Sequence, residues 1–157
     1  MDFYRRLIPY CEEYGIKVAI ENMWQYPGMI GHSTCSRAQE FVKYIDELNS
    51  DFIVGCLDIG HAMLVREMPD EFIRILGSKR LQCLHIHDVD GIDDLHTLPF
   101  FGITDWDKVV GALSEIGYQG DFTHEADNFF GKAPDALVPQ YLKFMEQTGR
   151  YLMKKFK

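Results

Sequence analysis

The stretch LHIHDVDGIDDLHTLPFFG, residues Leu84–Gly102, holds three histidines and four aspartates within nineteen residues. Its first residues complete an apolar run, LQCLHIH (Leu81–His87), which is typical of a buried strand. The rest of the stretch is predicted to be a loop. Core strands usually avoid imidazoles, and ordinary surface loops do not need three of them. The stretch therefore predicts a strand whose carboxyl end is a candidate metal site.

Strands and helices alternate on both sides of this stretch. We predict helices over Asp2–Tyr14, Ser36–Leu48, Pro69–Leu76, Trp106–Ile116 and Asp135–Lys155, and strands over Lys17–Asn22, Phe52–Ile59, Leu81–His87 and Gly120–Ala126. A loop is predicted over Trp24–Thr34, which holds Pro27, Gly28 and Gly31. Alternating elements of this kind imply βαβ units and a parallel sheet. Four strands with flanking helices suit either a small open sheet or half of a (β/α)-barrel.

Capping residues mark several of these helix boundaries. Ser33 or Thr34 is the expected N-cap of the second helix, and Thr104 or Asp105 is the expected N-cap of the fourth. Gly77 is predicted to end the third helix.

Composition predicts one globular domain over residues 1–157, with 46% apolar and 25% charged residues. No apolar run approaches the ~18 residues of a membrane span. The N-terminal residues carry scattered charges and do not resemble a signal peptide, so a cytoplasmic protein is expected. The net charge of −8 disfavours broad binding to a phosphate backbone. The four cysteines lack CxxC spacing and are expected to be free thiols.

Each predicted strand delivers a carboxylate or an imidazole near its carboxyl end. In chain order these residues are Glu21, then Asp58 with His61, then His85 and His87, and finally His124 and Glu125. In parallel α/β folds the functional site forms at this edge of the sheet. Taken singly, a strand-end acid is more often a helix cap, and a lone histidine is more often a core or rim residue. The recurrence over four strands favours a shared site.

Glu21, Asp58, His85 and Glu125 together offer three carboxylates and one imidazole. That set suits a divalent ion such as Mn²⁺, Mg²⁺, Co²⁺ or Zn²⁺, with positions left open for substrate oxygens. Without an ion, converging carboxylates repel one another and take up protons. With an ion, the site gains a Lewis acid that can polarise a carbonyl or stabilise an enediolate.

The motifs IEN, LDIGHA, LHIHDVDG…DLH…DW and THE, in this order, resemble the xylose isomerase-like (β/α)-barrel superfamily. That group includes sugar phosphate isomerases and epimerases, inosose dehydratase-like proteins and apurinic-site nucleases of the endonuclease IV type. The resemblance covers nearly the whole chain but only the C-terminal half of the family barrel. It implies a TIM-barrel-type α/β fold of about half a barrel.

The resemblance also implies roles for individual residues. Glu21, Asp58, His85 and Glu125 match the shared metal ligands, and the two glutamates match the acid/base pair of the epimerases. His61 matches a substrate-contacting histidine in those enzymes.

A second set of residues matches another part of the family pattern. His61, Asp94 and His96 match the ligands of an additional zinc in the nucleases. His87 shares a strand face with His85 and is expected to face the substrate. Pro99–Gly102, with Phe100 and Phe101, departs from the small turn of many relatives.

Three hypotheses for function follow. The first is a divalent-metal-dependent isomerase or epimerase that moves a proton at the carbon next to a carbonyl of a sugar or sugar phosphate, through a metal-held enediolate. The second is a zinc-dependent apurinic-site endonuclease-like phosphodiesterase. The third is a non-catalytic half-barrel remnant or subunit. We expect no nucleic acid partner and no membrane.

Half a barrel leaves open strand edges, which favour pairing with another chain. A homo-oligomer is the first expectation, a partner half-barrel the second and a monomeric open α/β layer the third.

Overall fold

A computed structural model describes residues 1–25 and 33–155 of the chain. Four strands form one sheet: β1 (Val18–Glu21), β2 (Ile53–Asp58), β3 (Leu81–Ile86) and β4 (Asp121–His124). The helices are α1 (Asp2–Tyr14), α2 (Ala38–Leu48), α3 (Ile59–Leu64), α4 (Pro69–Arg80), α5 (Trp106–Glu115) and α6 (Val138–Lys154). Short 3₁₀ turns cover Asp127–Phe129 and Asp135–Leu137. The prediction of four parallel strands with flanking helices is confirmed.

The strands lie side by side in the order β1-β2-β3-β4, and every neighbouring pair is parallel. Because the strands run in sequence order, all four carboxyl ends meet at one edge of the sheet. The register pairs Glu21 with Cys56 and Asp58 with His85. The topology therefore brings the predicted ligands of successive strands to neighbouring positions.

The two faces of the sheet differ in chemistry because side chains alternate along each strand. One face carries apolar residues such as Leu57 and Leu84, which pack with Phe41, Phe72 and Trp106 from the helices into the main core. The opposite face carries the polar residues described below. Burial of the first face holds the strands in place and so fixes the geometry of the second.

Several helix boundaries differ from the predictions. Helix α2 begins at Ala38 rather than Ser36, and its N-cap residue is Arg37, without a side-chain cap, rather than Ser33 or Thr34. The Ser33 hydroxyl instead donates a hydrogen bond to the carbonyl of Trp24. Helix α4 was predicted to end at Gly77 but runs on to Arg80.

The last difference has a local cause. Gly77 has φ 68° and ψ 164°, so the chain kinks there and then resumes a final helical turn. Helix α3 was not predicted, because it is only six residues long and follows β2 without an intervening loop. At the other end of the chain, the Asp135–Lys155 prediction separates into a 3₁₀ turn and α6.

The predicted loop over Trp24–Thr34 lies largely outside the described residues, since 26–32 are not described. Within the described ranges, no helix is both long enough and apolar enough to cross a membrane. Cytoplasmic location stays a prediction. The four cysteines all lie in described segments and are free thiols, as expected.

Candidate metal centre and active site

Four side chains from the four strands converge at the carboxyl edge of the sheet, and we call them the quartet: Glu21, Asp58, His85 and Glu125. His85 lies at their centre. Its Nδ1 is 2.7 Å from Oε2 of Glu125, 3.3 Å from Oε1 of Glu21 and 3.9 Å from Oδ2 of Asp58. One possible ligand atom from each of the four lies within 4.8 Å of the others. The predicted ligands are therefore assembled, each at the carboxyl end of its own strand, with Glu125 directly after β4.

The quartet passes a test of fit to a cation. Nδ1 of His85 and Oε2 of Glu125 are both buried, and neither has a hydrogen-bond partner among residues 1–25 and 33–155. The two atoms nevertheless lie close together, so their orientation rather than their separation prevents a bond. Atoms that converge without pairing suit a common bound ion, and carboxylate with imidazole is a donor set for Mg²⁺, Mn²⁺, Co²⁺ or Zn²⁺.

The electrostatics of the quartet follow from this crowding. Burial raises the pKa of Glu125, and the nearby carboxylates of Asp58 and Glu21 raise it further. The contact with Glu21 raises the pKa of His85, against the lowering effect of burial. A divalent cation would offset this repulsion between carboxylates.

Asp58 is the best-anchored member of the quartet, and its side chain is fully buried. Oδ1 accepts a 2.6 Å hydrogen bond from the backbone N–H of His61, and Nε2 of His87 lies 2.9 and 3.0 Å from the two carboxylate oxygens. Burial raises the pKa of Asp58, but the bond from His87 and the charges of both histidines outweigh it and lower the pKa. Asp58 is thus held as a carboxylate in a fixed orientation.

Asn22 fixes the backbone beneath this carboxylate. Its side-chain oxygen accepts from the backbone N–H of Asp58 at 2.7 Å, and its amide donates to the carbonyl of Asp58 at 3.1 Å. The strand ends of β1 and β2 are therefore locked together. Sequence reasoning noted Asn22 only as a strand-end residue, although its place after Glu21 in the IEN motif was the available signal.

A second group adjoins the quartet, and we call it the histidine group: His61, His87, Asp94 and His96. Oδ2 of Asp94 lies 3.3 Å from Nε2 of His61 and 3.1 Å from Nε2 of His96. The rings of His87 and His96 stack with centroids 4.3 Å apart. The structure thus brings together the predicted set His61, Asp94 and His96 and adds His87 to it.

The tautomers of two of these histidines follow from their outer contacts. Nδ1 of His61 faces the carbonyl of Asn22 at 2.9 Å, and Nδ1 of His96 faces the carbonyl of Glu125 at 2.8 Å. A carbonyl only accepts, so each Nδ1 carries a proton. Each Nε2 therefore presents either a lone pair or a second proton towards Asp94.

The pKa shifts describe this group without an ion. Burial lowers the pKa of His61, but the bond to Asp94 and the charge of Asp58 outweigh it and raise the pKa to about 9. The pKa of His96 is also raised, since Asp94 and the carbonyl of Glu125 outweigh its burial. The pKa of Asp94 is lowered by His61 and His96 despite burial. In the absence of a metal, the group is a network of imidazolium and carboxylate.

His87 is wholly buried, and the prediction that it contacts substrate stays a prediction. Its close packing explains a glycine of the LDIGHA motif, since a Cβ on Gly60 would lie 2.1 Å from Cε1 of His87. Nδ1 of His87 has no hydrogen-bond partner within the described part of the chain. The buried position of His87 favours a role in which it orients the carboxylate of Asp58.

The loop that carries Asp94 and His96 is organised by Asp88, whose side chain is fully buried. Its carboxylate accepts from the backbone N–H groups of Val89, Phe100 and Thr104 and from the indole N–H of Trp106, at 2.9–3.1 Å. Asp88 and Thr97 also exchange backbone hydrogen bonds. Sequence patterns do not single out Asp88, although its spacing to the DW motif is a usable signal.

The aromatic pair that departs from many relatives packs beside this loop. Phe100 contacts Trp106 and Tyr151, while Phe101 contacts Phe129 and Phe144. Both phenylalanines are about half exposed. The departure from the family turn therefore creates an apolar contact with α6, through Tyr151 and Phe144.

The family model for the xylose isomerase-like TIM barrel matches residues 1–148. The chain belongs to the xylose isomerase-like TIM barrel family. It is 35% identical over 144 residues to an uncharacterized protein of Methanocaldococcus jannaschii, covering 90% of this chain and 47% of that protein. It is 29% identical over 120 residues to an uncharacterized protein of Sinorhizobium fredii, covering 74% of this chain and 35% of that protein.

Solved structures share the fold of this chain. A D-tagatose 3-epimerase-like protein is 25% identical, with a TM-score of 0.65 over 90% of this chain and 52% of that one. A D-psicose 3-epimerase with D-tagatose, from Clostridium cellulolyticum H10, is 19% identical, with a TM-score of 0.77 over 95% of this chain and 53% of that one. The IolI protein with a zinc atom is 22% identical, with a TM-score of 0.69 over 98% and 52%.

The chain spans about half the length of these barrels, and half or less of the two curated relatives. The predictions of the family and of a half-barrel fold are therefore confirmed. The roles of individual site residues stay predictions.

Proposed function

We propose that this chain is, or supplies half of, a divalent-metal-dependent isomerase or epimerase acting on a sugar or sugar phosphate. The observation that carries the proposal is the quartet, in which the buried Nδ1 of His85 and Oε2 of Glu125 lie 2.7 Å apart without a hydrogen bond. The proposal is also supported by the family, among whose solved structures are epimerases of keto sugars. The ion is proposed as Mn²⁺, Mg²⁺, Co²⁺ or Zn²⁺, held by the quartet.

The proton transfer is assigned to Glu21 and Glu125. When bound, the ion stabilises negative charge on substrate oxygens beside the reacting carbon. One glutamate removes the proton from the carbon next to the carbonyl, and the other returns it. The raised pKa of Glu125 moves this carboxyl towards neutral pH, where a group that both accepts and donates protons works best.

The histidines are proposed to orient this chemistry. His61 is assigned to a substrate oxygen, which would share its Nε2 with Oδ2 of Asp94, 3.3 Å away. His87 is assigned to the positioning of Asp58, because both oxygens of that carboxylate lie within 3.0 Å of its Nε2.

The test combines metal content with proton exchange. The purified chain is analysed for bound metal, and release of label from the α-carbon of deuterated keto sugars is followed with and without added Mn²⁺. We expect metal-dependent exchange that is lost in Glu125→Gln. Glu47→Gln, which changes an exposed surface glutamate paired with Lys43, is the matched control. A folded chain that neither retains metal nor exchanges a proton would overturn the proposal.

We further propose that residues 1–157 form one domain whose barrel is closed by a second half, either another copy or a partner half-barrel. On the face of the sheet opposite the helices, Ala19, Asp121 and Thr123 are exposed. A barrel strand would normally cover that face. The mass in solution decides between these forms, and a stable monomer with full activity would count against both.

A second candidate is a zinc-dependent phosphodiesterase of the apurinic-site type, favoured by the assembly of His61, Asp94 and His96. It requires an ion at the histidine group as well as at the quartet. The net charge of −8 weighs against a DNA substrate. Cleavage of an abasic duplex, together with more than one zinc per chain, would favour this candidate. A Glu125→Gln variant with unchanged activity and metal content would favour the non-catalytic half-barrel considered above.

A further inference from the structure

Two free thiols lie directly beneath the quartet and have no part in the proposed function. Cys56 on β2 and Cys83 on β3 are paired in the register of the sheet. Each precedes a quartet member by two residues, Asp58 and His85 respectively. Because side chains alternate along a strand, the thiols share the face of the sheet that carries the quartet.

The two thiols and one imidazole form a compact donor group. One ligand atom from each of Cys56, Cys83 and His85 lies within 4.8 Å of the other two. Cys56 is only 3% exposed, whereas Cys83 is partly exposed, so the group is enclosed on one side and reachable on the other. Two sulfurs and one nitrogen form a soft set, which prefers Cd²⁺ or Cu⁺ to Mg²⁺ or Mn²⁺.

We propose that Cys56, Cys83 and His85 form a separate site for a thiophilic cation, and that an ion held there takes His85 away from the quartet. His85 is the member common to both groups. A hard ion uses this histidine with three carboxylates, and a soft ion uses it with two thiolates. Occupation by a soft ion therefore inhibits the metal-dependent reaction.

The local charges are consistent with a cation at the thiols. Burial raises the pKa of Cys56, and Cys83, Glu21 and Asp58 raise it further. The carboxylates that disfavour a bare thiolate attract a divalent cation to the same place.

Binding is tested by titrating the reduced full chain with Co²⁺ and with Cd²⁺. Thiolate ligands give both metals a charge-transfer absorption in the ultraviolet that carboxylate and imidazole ligands do not give. We expect the absorption in the unmodified chain and its loss in Cys56→Ala and in Cys83→Ala. Cys11→Ala, at a buried thiol of helix α1, and Cys35→Ala are matched controls that keep it.

A measurement without substitutions guards against variants that fail to fold. Alkylation of Cys83 in the unmodified chain is followed by peptide mass spectrometry, and Cd²⁺ should slow it whereas Mg²⁺ should not. Absence of both the absorption and the protection overturns the proposal, as does an absorption that persists in a folded Cys83→Ala variant.

The inhibitory consequence rests on the proposed function, but binding does not. Glu125→Gln, which impairs the quartet, should keep the thiolate absorption. An absorption that is intact in a chain without any proton exchange would refute the proposed function and leave the thiol site standing. Proton exchange that is unaffected by saturating Cd²⁺ would refute the competition for His85.

Discussion

The quartet and the histidine group lie side by side at one edge of the sheet, yet they satisfy their polar atoms differently. In the quartet, Nδ1 of His85 and Oε2 of Glu125 are buried and unpaired within the described residues. In the histidine group, Oδ2 of Asp94 lies within hydrogen-bond distance of both His61 and His96. Unpaired buried polar atoms are costly, whereas a paired network is stable by itself. The histidine group also holds two buried atoms without a hydrogen-bond partner among the described residues, Nδ1 of His87 and Oδ1 of Asp94. We therefore expect an ion to bind first at the quartet, where the atoms without a partner converge.

The histidine group also supports the quartet. His87 holds the carboxylate of Asp58, and His96 holds the backbone carbonyl of Glu125. Outer contacts of this kind fix the orientation of metal ligands and tune their basicity. Under the proposed function, the quartet carries the chemistry and the histidine group aligns its ligands.

The largest expected effect is on the proton transfer itself. Glu125→Gln keeps the shape of the side chain but removes the group that exchanges a proton. Because general acid–base catalysis typically contributes 10²–10⁴-fold, we expect a rate loss of roughly that size in the exchange assay. Glu47→Gln should retain the rate. A Glu125→Gln variant with unchanged exchange would show that the quartet does not carry the chemistry.

The next effect concerns His87, which belongs to one group and acts on the other. His87→Gln should weaken metal binding by about 10–100-fold, because Asp58 loses the partner that orients it. Calorimetric titration with Mn²⁺ measures this change. Urea unfolding should show a cost of about 1–3 kcal/mol for the disturbed buried bond. Unchanged metal affinity in a folded variant would show that the histidine group does not support metal binding at the quartet.

The sequence predicts the quartet well because parallel topology does the assembly. Once Glu21, Asp58, His85 and Glu125 are placed at successive strand ends, the order β1-β2-β3-β4 leaves them no other place to meet. Their local patterns are short but each is near the boundary of a clear apolar run. The family resemblance adds the pairing of His61 with Asp94 and His96, which lie far apart in the chain.

The sequence predicts less where tertiary contacts decide the outcome. Asn22 and Asp88 are ordinary polar residues in the sequence. Only in the folded chain does Asn22 bind the backbone at the end of β2 and Asp88 bind the indole of Trp106 and so stabilise the loop. Helix α3 begins directly at the end of β2, where Oδ1 of Asp58 accepts the backbone N–H of His61. Asp58 caps α3 and also belongs to the quartet, and no sequence pattern predicts both roles for one residue.

A smaller effect is expected from Asp94→Asn, which removes the charge that links His61 and His96. If the histidine group is self-satisfied, the metal stoichiometry of the chain stays the same and affinity at the quartet falls less than in His87→Gln. Elemental analysis and titration with Zn²⁺ measure both quantities. Loss of one bound zinc per chain would show that the histidine group holds an ion of its own, as the quartet is proposed to do.

The smallest effect is a dependence of stability on pH in the metal-free chain. The folded-state pKa of His61 is about 9, above its ordinary value of 6.5, so the folded chain binds this proton more tightly than the unfolded chain does. The resulting stabilisation is fully present below pH 6.5 and is lost as the pH rises through about 9. His85 and His96 have pKa shifts of the same direction and add to the trend.

His61→Gln tests this dependence, because it removes the proton while keeping a polar side chain. Urea unfolding of the metal-free chain between pH 6.5 and 9 should show a shallower loss of stability in the variant than in the unmodified chain. A divalent ion at the quartet should abolish the part of the trend that comes from His85, because a metal ligand must be deprotonated. A steep, unchanged slope in His61→Gln would mean that the proton sits elsewhere, and that the histidine group is not the ion-free network that its distances indicate.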